Sequence, residues 1–159
     1  MSRAHGRYLL LEQGIGAGVV NFVINWVIAW AMFRGMASVP LRGDLSIAND
    51  TIGTTFFLPF LTTLFASQVV RGHVRRGRVP AWPWGDGAGR RVPRWLVVRG
   101  ALFGIVCVAL VGVPTAYALG AAGVTAMDFR GFLTFKALFA AVLAALVTPF
   151  IARAALADG

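Results

Sequence analysis

The sequence predicts an all-α integral membrane protein whose four transmembrane helices form two antiparallel hairpins. Three observations predict it. Apolar runs of about twenty residues, each with one charge at most, recur along the chain. The composition is 58% hydrophobic and only 13% charged, with a mean hydropathy of +0.74, which no ordinary soluble domain shares. The cations, finally, are gathered beside the apolar runs instead of being spread through them.

The first span is residues 14–33, twenty residues without a charge. At about 1.5 Å per residue it covers the roughly 30 Å hydrocarbon layer. Arg3, His5 and Arg7 ahead of it, with Ala29, Trp30 and Ala31 within it, have the outline of a signal peptide. The run is too long for one and is broken by Asn21 and Asn25, so a retained helix is expected. Residues 34–50 form a polar connection with Pro40 and Gly43. Its Asn49, Asp50 and Thr51 offer side-chain oxygens to the open amides of the second span, residues 51–70. That helix has no breaker before Gly77 and Pro80, so it can run on to Arg76.

The stretch 71–99 holds eight of the fifteen basic residues. Arg71, Arg75, Arg76, Arg78, Arg90, Arg91 and Arg94 share it with Trp82, Trp84 and Trp95, so cationic heads and amphipathic rings lie at one interface. This loop, 71–95, is expected to rest on anionic phospholipid headgroups. In a soluble chain the net charge of +9 would suggest nucleic acid, but beside apolar spans it reads as a topology signal, and no nucleic-acid partner is expected. Pro93 stands where a first helical turn would be, ahead of a third span at 96–119. Arg99, one turn inside it, can extend back to the headgroups. A short connection, 121–131, carries Asp128 and Arg130. The fourth span is 132–152, with Lys136 one turn in and Arg153 at its end.

Cations also set the orientation. Arg3, Arg7, the eight of the central stretch and Arg153 fall on one side; Arg34, Arg42, Arg130 and Lys136 fall on the other. The richer side is the cytoplasmic one, which places both termini in the cytoplasm. Fourteen Arg to one Lys, beside abundant Ala, Gly and Val, is a composition of GC-rich bacterial genomes and suggests a bacterial inner membrane. A weak parallel repeat is visible as well. Gly14 and Gly18 match Gly100 and Gly104 at an offset of 86, and Arg71 matches Arg153 at 82, as two hairpins related by a pseudo-twofold axis along the membrane normal would.

Helix faces give the candidate site. Gly14, Gly18, Asn21 and Asn25 share one face of the first helix, with the two amides near mid-membrane. On the second, Thr55, Pro59 and Thr62 share a face, and Pro59 frees the carbonyl of Thr55 at the same depth. Asn21, Asn25, Thr55, Pro59 and Thr62 are therefore expected to form a midplane polar layer. On the fourth helix Ala137, Ala141, Ala144 and Thr148 read as a close-packing face. Two interfacial ion pairs are expected at matching depths, Glu12 with Arg99 and Asp50 with Lys136.

Catalysis finds no support. His5 and His73 lie in basic segments, and the chain has no HExxH, no paired cysteines, no nucleophile elbow and no phosphate-binding glycine loop. The single Cys107 permits no intramolecular disulfide. No metal, no cofactor and no enzyme activity are expected. Two function classes remain open. One is a small transporter or channel acting as a homo-oligomer, because four helices alone barely enclose a cavity. The other is a membrane scaffold, or an accessory subunit of a larger membrane complex, docking lipid or protein through the Arg/Trp loop.

Overall fold

The computed structural model describes residues 14–77 and 95–156. Among these, α1 (Gly16–Phe33), α2 (Ile47–Arg75), the segment Leu96–Ala121 and α5 (Phe129–Leu156) are each long and apolar enough to cross a membrane. The third is composite: α3 (Leu96–Cys107) passes through a π-helical turn, Val108–Gly112, into α4 (Val113–Ala121). Large apolar side chains such as Val19, Leu110, Val142 and Phe150 point outward, while Thr51, Thr55, Thr63, Ser67 and Thr148 are buried. A bilayer favours this inversion, because lipid solvates the apolar surface and polar side chains are shielded among the helices.

The helices interlock. α1 packs on α5, α5 on α2, and α2 on α3, whereas the successive helices α1 and α2 share no extensive interface. Small residues set the closest approaches. A Cβ at Gly104 would lie 2.9 Å from the Phe56 carbonyl oxygen, one at Gly100 would lie 3.1 Å from that of Phe60, and one at Gly18 would lie 3.2 Å from that of Ala141. Gly112 closes in the same way on Thr55. Eight residues of ideal α-helix would turn Gly112 about 80° off the face of Gly104. The wider π turn between them takes up that rotation, so both glycines meet α2.

At the end of the bundle where α2 begins, the structure departs from the all-α expectation. The connections fold into a ribbon in which β1 (Ser38–Pro40) pairs antiparallel with β2 (Ala126–Asp128), Val39 standing opposite Met127. Strands this short leave no periodic trace in a sequence. Beneath the ribbon Phe33, Val39, Ile47 and Phe132 are buried together, with the Phe33 and Phe132 rings edge to face at 4.7 Å. The start of α2 also differs. Ser46 caps it, its Oγ accepting from the Asn49 amide at 3.3 Å, and the Asn49 side chain turns back to donate to the Gly43 carbonyl at 2.8 Å. The sequence placed the cap at residues 49–51; a serine three residues before Asn49 meets the same amide and leaves Asp50 free for another partner. The other end follows the breaker: α2 stops at Arg75, and Gly77 adopts φ +67°, a left-handed turn suited to glycine.

Candidate functional site

Because α1 and α2 both lean on α5 and not on each other, a cleft of about 990 Å³ opens between them, with α5 as its back wall. α2 supplies Asp50, Thr54, Phe57, Leu61 and Phe65, which recur every three or four residues along one face. α1 supplies Ala17, Asn21, Ile24, Asn25 and Ile28, and α5 supplies Lys136 and Thr148. Gly53 lies on the same wall, and nothing stands within 4 Å of where its Cβ would be, so its missing side chain leaves space beside the Asp50 turn.

α2 and α5 run side by side in the same direction. Asp50 meets Lys136 near their starts, Leu58 packs on Ala140 and Ala144, and Val70 packs on Ala152 and Leu156. Depths along the two helices therefore match at an offset of 86. Thr62 and Thr148, twelve residues beyond Asp50 and Lys136, lie level with each other about 18 Å further along the bundle. α1 runs the opposite way, Gly18 facing Ala141 and Phe33 facing Phe132, which sets Asn25 and Asn21 between those two depths. Polar side chains thus recur down a predominantly apolar cleft.

The Asp50–Lys136 pair is the most polar point. Lys136 Nζ donates to Asp50 Oδ1, and both side chains are more than nine-tenths buried. An ammonium carries three donors, and this one has a single acceptor among the described residues, while Asp50 Oδ2 has none of its own there. Further down, Asn21 Nδ2 donates to the Ala17 carbonyl at 2.9 Å and Asn25 Nδ2 to the Asn21 carbonyl at 3.0 Å. Each amide satisfies one N–H on its own helix. The Thr148 hydroxyl, on a residue only 2% exposed, has no hydrogen-bond partner among the described residues.

The five residues expected at one polar layer are divided. Asn21, Asn25 and Thr62 line the cleft. Thr55 and Pro59 do not: each lies about 100° round α2 from its cleft-lining neighbour, Thr54 or Leu58. Thr55 is fully buried against Gly112, its Oγ1 donating to the Thr51 and Ile52 carbonyls at 3.0 and 2.8 Å. The Pro59 carbonyl accepts from Thr63 Oγ1 at 2.8 Å.

Glu12, Arg78, Arg90, Arg91, Arg94, Trp82 and Trp84 lie outside the described residues, and with them the expected Glu12–Arg99 pair. Arg99 is buried in the first turn of α3, and Trp95 just before it is 78% exposed. Arg71 and Arg75 end α2, and Arg75 and Arg76 are exposed. Sequence reasoning missed Gly53 and the place of Thr148. The signals were present: a helical glycine outside any small-residue face, and a threonine 86 residues after Thr62.

Among the described residues no His, Cys, Asp and Glu group is arranged to hold a metal ion. The chain matches no family model, no curated protein and no solved structure.

Proposed function

We propose that this chain is a small, non-catalytic transporter of the bacterial inner membrane, with the α1–α2 cleft as its path. One observation carries the reading: polar side chains recur at successive depths on the walls of a single cleft, from Asp50 and Lys136 through Asn25 and Asn21 to Thr62 and Thr148. Polar groups in hydrocarbon are costly unless bonded.

Both termini are cytoplasmic in this reading, by the bias of arginine toward the Arg71 end, so the Asp50–Lys136 pair faces outward. The protein works as a homo-oligomer, because its own helices wall the cleft on three sides and a second copy supplies the fourth. The interlocked packing supports two related hairpins. α1 leans on α5 as α3 leans on α2, the two second helices meet each other, and the strands that follow α1 and α4 pair antiparallel. Such exchanges are those of a pseudo-twofold axis along the membrane normal. At the offset of 86 the counterpart of Gly53 is Phe139, which packs on the cluster around Leu58 and Ala144, so space left on one side is filled on the other.

A scaffold role is favoured by a different feature, the exposed Trp95 at the edge of the basic loop, which would meet lipid headgroups or a cytoplasmic protein. Thiol labelling separates the two. In a Cys107→Ala background, cysteines at Asn21, Asn25 and Thr62 should react with a membrane-impermeant reagent, and one at Thr55 should not. Protection of all three cleft positions would overturn the transport reading in favour of the scaffold.

A further inference from the structure

Size limits what the cleft can take. Its lining on α2 runs from Asn49 to Val69, about 30 Å at 1.5 Å per residue, the thickness of the hydrocarbon layer. That length holds an extended acyl chain.

Polarity decides what that chain must carry. Among the described residues, the Asp50 end holds a buried ammonium with two unmatched donors, next to a carboxylate oxygen with no partner of its own. An anion alone would satisfy Lys136 and leave Asp50 facing like charge; a cation alone would do the reverse. A group with both charges completes the two at once, phosphate oxygens accepting from Lys136 Nζ and an amine donating to Asp50 Oδ2, without breaking the internal pair. Beyond it Phe57, Leu61, Phe65 and Val69 form an apolar strip on the α2 wall, beside the polar groups of Asn21, Asn25, Thr62 and Thr148.

We infer that the cleft binds a zwitterionic phospholipid with an amine in its headgroup. The head sits at Asp50 and Lys136, and one acyl chain lies along α2 toward Val69. This rests on the cleft being the path proposed above, and it names the substrate class of that path.

The test is native mass spectrometry of the full chain released from vesicles of equal phosphatidylethanolamine and phosphatidylglycerol. Wild-type protein should retain the amine lipid over the anionic one by about tenfold, the effect of one charge-assisted hydrogen bond. Gly53→Phe, which puts a ring into open space, should lose the retained lipid while keeping its unfolding temperature. The paired change Asp50→Asn with Lys136→Gln should abolish the preference without leaving a buried charge alone. Retention of both lipids alike, of the anionic lipid preferentially, or of lipid that neither variant reduces would overturn the assignment. Accessible cleft cysteines alongside any of those results would sink the lipid assignment and leave the path standing.

Discussion

At the residue scale the decisive pair is Asp50 with Lys136, two charges held together in a largely apolar cleft. Removing one of them strands the other. Lys136→Ala should lower stability by about 3–5 kcal/mol, whereas the neutral pair Asp50→Asn with Lys136→Gln should recover most of that loss, because an uncompensated buried charge costs more than the pair contributes. Thermal unfolding in detergent reads both; equal destabilisation by the two would contradict this account. The pair was legible in the sequence because Asp50 stands just ahead of the second span and Lys136 one turn inside the fourth, at matching depths in the expected arrangement. Thr55 was misplaced for an equally plain reason. On an ideal helix Thr55 and Thr62 differ by only about 20°, so periodicity cannot assign them to different neighbours. That division came from Gly112, whose position depends on a π turn that no pattern of residues announced.

At the scale of elements, glycines have two opposite roles. Gly104 lets α3 approach the α2 backbone, and Gly53 leaves space where nothing approaches. Gly104→Ala should cost about 1–3 kcal/mol, since its Cβ would press on the Phe56 carbonyl. Gly53→Ala should be neutral or slightly stabilising, since it adds helix preference and meets no atom. A thermal shift of the same sign and size in both variants would mean that the two glycines do not differ as described. Spans could be located from apolar length alone, to within a few residues at each end. Which spans touch could not, because the outward faces of all four are similarly apolar and nothing in that pattern makes α1 prefer α5 over α2. The ribbon at the Asp50 end was hidden for a related reason, being three residues per strand.

At the scale of the whole molecule, the bias of arginine is the ground for the proposed orientation, and packing fixes where the cleft lies. A reporter fused after Gly159 should give a cytoplasmic signal, and an external one would invert the proposed topology and with it the outward position of Lys136. Interlocked packing explains why there is a cleft at all: α1 leans on α5 and α3 on α2, and the gap this leaves between α1 and α2 stays open where Gly53 lacks a side chain. The cleft as a hydrated working path is the central claim, and one comparison tests it most directly. The rate at which an impermeant thiol reagent labels Asn25→Cys, in a Cys107→Ala background, is measured with Gly53 intact and with Gly53→Phe. The account predicts ready labelling that the introduced ring reduces to the rate at a buried Thr55→Cys control; labelling that is absent with Gly53 intact, or unchanged by the ring, would contradict it.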